Sequence, residues 1–438
     1  RSIDVQYYLY HDDLTGRLFT HQLLKAADRG VRVRLLVDDM GLGGRDLGVT
    51  VLDNPPNIEV RIFNPFSRNV GRLSQFVTRL GSVTRRMHNK SFTVDNQVTI
   101  LGGRNIGNEY FEADPDIAFA DLDVLLIGPV VEDVSASFDT YWNSELVYPI
   151  NVLAKKPPTQ EEIQEKTQKF NEFIAEQGNS PYLLALRNSD LANAIRQQKV
   201  RYYWGDAEAI FDQPEKILDD RSKSEDHLVA QFKPYIDRIE KELIILSPYF
   251  VPGKEGVESL VKLKESGVDI RILTNSLAST DVGVVHAGYA KYRKDLLRAG
   301  IEIYELNKKI NKKERKKKKG QEGSSKASLH AKTFTLDRHW VFIGSLNLDP
   351  RSVYEITEIG VVLDSQEIAQ FMANKCDANI AAYAFRLELR SKEDGGEQLY
   401  WHGYVNGEER VYTVDPYTGF WRRLGVWFMG LFPIESQL

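Results

Sequence analysis

The chain has 438 residues, 42% of them hydrophobic, which is enough apolar material to bury two substantial cores. A formal net charge of −5 gives no global attraction to nucleic acid or to an anionic membrane, so any contact with a polyanion has to be local. The single cysteine, Cys376, excludes an intramolecular disulfide framework and a thiolate metal centre, and it reads as a packed core thiol.

The chain opens at Arg1-Ser2 without Met and almost immediately inside a strand, the pattern of a trimmed fragment. Whether a signal peptide, lipid anchor or membrane helix precedes it stays open. Residues 3–10 (IDVQYYLY) read as a strand rich in β-branched and aromatic side chains. A helix is predicted over 16–28, with Leu18, Phe19, Leu23, Leu24 and Ala27 on one face. Gly30 ends it, and 31–37 forms the next strand. Pro157-Pro158 then opens a polar stretch that runs to about Gln198. Its Glu161, Glu162, Glu165, Lys166 and Lys169 have the spacing of a solvated connector helix. Residues 200–211 look like a strand leading into the back half.

There the opening pattern returns. Residues 243–250 read as a strand, Val257, Leu260, Val261 and Leu263 mark a helix, Gly267 stops it, and 268–273 is the next strand. Strand–helix–strand alternation with short connections predicts an α/β sandwich in each half. The run 308–319 (KKINKKERKKKK) repels itself and reads as a solvated loop, although its place shortly before His330 would also let it hold anionic headgroups or a nucleic-acid backbone. Asp394-Gly395-Gly396 and Asn406-Gly407 punctuate three strand-like runs, as in an antiparallel meander. The tail, 420–433, sets Trp421, Trp427, Phe428 and Phe432 beside Arg422 and Arg423. That composition suits a membrane interface, and it would also suit a helix packed on its own domain. No stretch reaches the roughly 18 uninterrupted apolar residues of a spanning helix.

One constellation is written twice. His88, Lys90, Asp95, Gly102-Gly103 and Asn105 recur as His330, Lys332, Asp337, Gly344-Ser345 and Asn347, with identical offsets of +2, +7, +14, +15 and +17 from the His. A lone His-x-Lys pair is common on strand faces; five matched offsets, each set beside an apolar strand, indicate an internal duplication carrying a paired site.

At these residues the sequence resembles the phospholipase D superfamily, whose signature is H-x-K-x4-D-x6-G-(G/S)-x-N in two copies. The continuation Leu346-Asn347-Leu348-Asp349-Pro350-Arg351-Ser352 is similar to the bacterial cardiolipin synthase branch. The first copy resembles one subgroup of that branch, cardiolipin synthase C, and the resemblance covers nearly the whole chain. It implies a duplicated phospholipase D-like α/β fold, with two sandwich lobes related by a pseudo-twofold axis and the active site between them. The expected plan is a first lobe over 1–150, a helical connector over 151–198 and a second lobe over 199–385 with its basic loop at 308–325. Residues 386–438 are expected to hold antiparallel strands and an interfacial tail.

The duplicated residues suit phosphodiester chemistry. One neutral His can attack phosphorus and form a phosphohistidine, while the other, protonated, gives its proton to the departing alcohol and then activates the incoming hydroxyl. Imidazole, with an ordinary pKa of ~6.5, serves both roles near neutrality. Lys90 and Lys332 would neutralise the non-bridging oxygens and Asn105 and Asn347 would donate hydrogen bonds to them, so no metal or other cofactor is expected.

Each His also needs a carboxylate to orient it. The family carries an acid at the start of the strand after the Asn, which Glu358 matches in the second copy. In the first copy the frame points to Asp121, with Asp123 as the alternative. Asp121 departs from the pattern in being Asp, and in lying 33 residues beyond His88 where Glu358 lies 28 beyond His330. Asp95 and Asp337 are expected to be structural, in turns after the catalytic strands.

The resemblance further implies phosphatidyl transfer to phosphatidylglycerol, with phosphatidylethanolamine as donor. A hydrolytic phospholipase D is the alternative, and a nuclease a more distant one, with no nucleic-acid partner expected. The expectation is a bacterial monomer at a membrane surface, peripheral or anchored by a preceding segment, on an unspecified face. Trp421, Arg422, Arg423, Trp427 and Phe428 would make the membrane contact.

Overall fold

The computed structural model describes residues 1–42, 46–72, 74–75, 80–114, 117–154, 156–219, 227–308, 326–405 and 407–431. Most of the basic loop (309–325), Asn406 and Phe432 lie outside them. The chain divides into two compact units. One comprises Arg1–Ile100, Asn105–Ala113 and Leu126–Gly205; the other comprises Leu101–Arg104, Asp114–Leu125 and Asp206–Leu438.

The first unit is built on strands β1 (Ser2–Tyr7), β2 (Arg32–Asp38), β3 (Ile58–Phe63), β4 (Ser91–Val94), β5 (Val98–Gly102), β7 (Asp123–Ile127) and β8 (Val147–Pro149), in the sheet order β7-β5-β4-β1-β2-β3-β8. β1 runs parallel to β2, with Val5 opposite Leu35, and antiparallel to β4, with Val5 opposite Phe92. Helix α1 (Leu14–Asp28) starts where the Asp13 carboxylate accepts the Gly16 N–H at 3.0 Å. Its Leu23 and Ala27 join Val5, Val33, Leu35 and Val60 in the core, each larger aliphatic contributing about 1.5–3 kcal/mol by leaving water.

Short helix α2 (Asp46–Leu52) follows β2, and α3 (Val130–Trp142) follows β7. The polar connector forms three helices, α4 (Gln160–Gln177), α5 (Pro181–Arg187) and α6 (Asp190–Arg196). A capping box between Thr159 and Glu162 starts α4, which has no buried residue.

The second unit repeats the plan. β9 is Asp206–Phe211, α7 Leu228–Ile236, β10 Glu242–Leu246, α8 Gly253–Glu265, β11 Asp269–Asn275, α9 Gly283–Arg298 and β12 Glu302–Leu306. β14 (Thr333–Leu336), β15 (Trp340–Gly344) and β16 (Ile359–Asp364) follow, then α10 (Gln366–Tyr383), β17 (Ala384–Ser391), β18 (Glu397–Val405), β19 (Glu408–Tyr412) and α11 (Phe420–Gly430). The ten-stranded order is β19-β18-β17-β12-β11-β10-β14-β15-β16-β9. β10 runs parallel to β11, with Ile245 opposite Ile272, and antiparallel to β14, with Ile245 opposite Phe334; these are the counterparts of the first-unit pairings. The strand predicted over 243–250 stops at Leu246, because Pro248 has no N–H for the ladder. The strand predicted over 200–211 begins only at Asp206.

The C-terminal meander is antiparallel and extends the large sheet through β17 and β12. Helix α11 packs one face on its own unit and leaves the other exposed. Val426 and Met429 pack with Leu277 and Ala287, whereas Trp421, Trp427 and Phe428 stand 79%, 62% and 55% exposed.

Candidate active site

Each copy of the motif leads into a strand that pairs antiparallel with a parallel-sheet strand, β4 with β1 and β14 with β10, and each His is fixed from the residue before it. The Met87 N–H donates to the Asp38 carboxylate at 3.0 Å. In the second unit, Asn275 accepts the Leu329 N–H at 2.9 Å and donates to the Leu329 carbonyl at 2.9 Å. Asp38 and Asn275 are the last residues of β2 and β11 and stand eight positions after Gly30 and Gly267. They occupy one repeated position, and sequence reasoning missed both; aligning the two halves on those glycines would have found them. Burial raises the Asp38 carboxyl to about 6, with Arg86 and the backbone amides pulling against it.

The motif acids tie off the hairpin turns. Asp337 accepts from the N–H groups of Glu240, Lys241 and Glu242 at 2.7–2.8 Å, and Asp95 accepts from Ser2 at 2.6 Å. Asp95 and Asn96, like Asp337 and Arg338, adopt positive φ of 51–53°, the conformation of a tight two-residue hairpin turn.

In the first unit His88, Lys90 and Asn105 are all buried. The Tyr8 ring meets the His88 ring edge-on at 5.0 Å, and Lys90 Nζ donates to the His88 carbonyl. Asn105 Oδ1 accepts the Leu9 N–H at 3.2 Å, and Nδ2 donates to the Tyr110 hydroxyl at 2.9 Å. One amide proton is thus committed, and the second is the one available to a ligand.

The second unit contains its own set together with a contribution from the first copy. β6 (Ile117–Ala120) pairs in parallel with β13 (Lys326–Leu329), and the N–H groups of His330 and Ala331 both donate to the Ala120 carbonyl. This register carries Asp121, from the first copy's sequence, to His330 of the second, with the carboxylate 2.6 Å from Nδ1. Burial opposes the charged form of Asp121. The charge and hydrogen bond of His330, then Lys332 and Arg104, outweigh it and bring the carboxyl down to about 2. An ionised Asp121 holds the proton on Nδ1 and leaves Nε2 as the reactive nitrogen.

Asp123 faces elsewhere, onto Arg104 at 3.2 Å, and burial lifts it to about 6. Lys332 Nζ donates to the His330 carbonyl at 2.6 Å and lies over the imidazole edge, 2.9 Å from Nδ1 and 3.2 Å from Nε2. Burial lowers it to about 8, against the pull of Asp121, Glu358, Asp281 and Asp349. Asn347 is buried, and its Oδ1 has no partner among the described residues.

Glu358 is fully buried at the start of β16. It accepts from the Ser345 hydroxyl, and its own N–H donates to Asp212 at 2.8 Å. Asp212 also binds Lys216 at 2.8 Å and the Leu228 N–H at 2.8 Å. Neither Asp212 nor the role of Ser345 was anticipated. Trp421, Trp427 and Phe428 project from α11, while Arg422 donates to the Thr280 carbonyl at 3.3 Å and Arg423 to that of Thr418.

Among the described residues, two other His–carboxylate clusters have metal-ligand spacing, His11–Asp13–Glu109 and His286–Glu305–Asp415. Arg293 ion-pairs with both carboxylates of the second, and Asp13 in the first already caps α1.

A duplicated α/β frame with a buried His-Lys-Asn set in each half, one imidazole tethered to a carboxylate, is an arrangement suited to acid–base chemistry on an anionic substrate. The chain matches the family described as cardiolipin synthase, PLD-like domain, over residues 1–142 and 232–379, and it belongs to that family within the phospholipase D superfamily. It is 40% identical to cardiolipin synthase C of Escherichia coli K12 across 100% of this chain and 91% of that protein. It is 23% identical to cardiolipin synthase B of the same organism over 87% of this chain and 75% of that one. The solved phosphatidylserine synthase of Haemophilus influenzae Rd KW20 shares the fold, with a TM-score of 0.59, 14% identity, and coverage of 89% of this chain and 82% of that one. The duplicated phospholipase D-like fold expected from the sequence is therefore the fold of this chain. No helix among the described residues is long and apolar enough to cross a membrane.

Proposed function

We propose that this enzyme makes cardiolipin by transferring a phosphatidyl group to phosphatidylglycerol through a phosphohistidine. The observation that carries the reading is the Asp121–His330–Lys332 grouping, repeated in sequence by His88 and Lys90. A buried, ionised carboxylate on Nδ1 makes His330 a strong base at Nε2 and stabilises it once protonated, which both nucleophilic attack and acid–base transfer need. One His bonds to phosphorus as the phosphorus–alcohol bond breaks, and the other delivers the proton to the leaving alkoxide. That second His then takes the proton of the phosphatidylglycerol hydroxyl as its oxygen displaces the phosphohistidine. Lys90, Lys332 and the free amide protons of Asn105 and Asn347 stabilise the oxygens as charge builds on them.

Phosphatidylethanolamine is the donor this reading favours. The enzyme meets its lipids peripherally through the aromatic face of α11, where Trp421, Trp427 and Phe428 enter the interface. Arg422 and Arg423 keep the inner side of that helix tied to carbonyls and add positive charge.

The test is a product assay on vesicles of phosphatidylethanolamine and phosphatidylglycerol, read by mass spectrometry, with supercoiled plasmid in a parallel reaction. Cardiolipin with ethanolamine release supports the proposal. Phosphatidic acid as the sole lipid product would make the enzyme a hydrolase, and plasmid nicking without lipid turnover would make it a nuclease.

A further inference from the structure

The first unit contains a cavity of about 680 Å3 that the chemistry above does not use. Leu24 of α1, Val37 of β2, Val49 and Leu52 of α2, and Ile163 and Phe170 of α4 form its walls. Among the described residues its lining is separate from His88, Lys90 and Asn105.

Two features distinguish it from a packing fault. Leu24, Val49 and Leu52 pack against the core yet keep partial solvent exposure, and Ile163 and Phe170 of α4 face the same space, although α4 buries no residue of its own. A partly open apolar space of this kind is the form of ligand sites, which run to about 300–1,000 Å3 with a predominantly apolar lining.

The rim carries the second half of the argument. Of its charged residues, Asp12 is paired with Arg17 and Lys169 with Glu165, which leaves Lys25 and Lys166 against Asp28. An apolar slot with a cationic edge fits an anionic amphiphile. The cavity also adjoins the first motif set. Tyr10 and His11 line it, and the Leu9 N–H beside them holds Asn105.

We propose that this cavity takes one acyl chain of an anionic glycerophospholipid, with Lys25 and Lys166 at the mouth facing its charge. The proposal rests on the reading that the enzyme acts on phospholipids, and it adds a chain-binding site to that reading. Each buried methylene strengthens binding about fourfold, so blocking even roughly two of them is measurable.

The experiment titrates the full chain with cis-parinaric acid, an anionic fluorescent fatty acid, and with its uncharged methyl ester. Saturable one-to-one binding is expected. Leu52→Trp fills the wall from α2, and Thr167→Trp fills it from α4, where Thr167 lines the cavity and is itself exposed; each should weaken both probes at least about tenfold. Should Leu52→Trp lose its thermal transition, Thr167→Trp on the solvent-facing helix decides the matter. The double variant Lys25→Glu/Lys166→Glu should weaken the acid at least about fivefold more than the ester.

Probe binding that fails to saturate, or that both Trp variants leave unchanged, overturns the proposal. The functional reading fails separately. A chain that binds the probe and yields no cardiolipin keeps the cavity and loses the activity, while one that makes cardiolipin and ignores the probe does the reverse. His88→Ala, inactive by the reading above, should bind the probe like the parent chain.

Discussion

Replacing Asp121 by Asn keeps the shape of the side chain and removes its charge, so it isolates the tether on His330. In the folded chain the Asp121 carboxyl lies at about 2, against about 3.9 for an ordinary aspartate. That difference corresponds to roughly 2–3 kcal/mol in favour of the carboxylate. The side chain has no solvent exposure, so screening takes little from this figure. The His330 share of that coupling is reciprocal, so a protonated His330 is favoured by the carboxylate and the variant should titrate His330 lower. The rate should fall about a hundredfold from the lost charge, and toward ten-thousandfold if the amide fixes the wrong tautomer.

The sign of the stability effect follows from a depressed carboxyl. Its contribution is present above about pH 4 and is lost as pH falls toward 2, so parent and variant should converge in unfolding free energy at the acid end. The assay is kcat across pH together with a nitrogen-15 titration of the His330 ring. Asp123→Asn serves as the control; its carboxylate faces Arg104 and is raised to about 6 by burial, so a neutral analogue relieves a buried charge and should hold kcat within roughly fivefold. An Asp121→Asn enzyme with parental kcat and an unshifted His330 would refute the reasoning.

Three further outcomes follow from the same geometry. His88→Ala and His330→Ala should each lower kcat by roughly a thousandfold or more while circular dichroism stays parental, and the double variant should be no worse, because both act in one cycle. Turnover should survive excess EDTA and follow a bell-shaped pH profile. Its alkaline limb should fall through about pH 8, where buried Lys332 gives up its proton and with it the charge on the phosphate oxygens; restoration by a divalent ion after chelation would contradict the mechanism. Trp421→Ser/Trp427→Ser alters exposed side chains only, so it should leave the melting temperature unchanged and cut binding to anionic vesicles at least about tenfold, with residual binding that weakens in salt. Parental vesicle binding would assign α11 to packing alone.

Much of this site was legible because a duplication supplies its own control. His88 and His330 stand out only because Lys, Asp, the small pair and Asn keep step after each. The strand–helix–strand opening of each half was legible for the same reason, and Gly30 and Gly267 align it. What the sequence withheld was long-range. The acid expected to belong with the first copy faces the imidazole of the second, since residues 114–125 join the second unit through the pairing of β6 with β13. Strand pairing across some 200 residues leaves no periodic mark in either segment. Asp38 and Asn275 were hidden differently, in plain alternation at the end of a buried strand, where a polar residue looks like the start of a loop. The connector read as a charged face, and that reading caught α4 but gave no hint of the space beneath it.

The two copies diverge at the residue that touches the carboxylate, and this divergence has a steric cause. In the second copy Ser345 donates to Glu358 and also accepts the Ile359 N–H at 3.0 Å, so its side chain locks the longer acid to its own strand. At the matching position in the first copy a Cβ on Gly103 would stand 2.3 Å from Asp121 Oδ1 and 3.2 Å from the His330 carbonyl. A serine there could not coexist with Asp121 reaching His330, and the shorter acid needs the space that the missing side chain leaves. The Gly-Gly and Gly-Ser pairs are therefore not interchangeable variants of one small-residue rule. Each is matched to its own carboxylate, Asp with Gly and Glu with Ser, and exchanging only one member of either match would disturb the acid. The offsets of the His, Lys, Asp, small pair and Asn are identical in both halves. The packing around each carboxylate follows two different solutions.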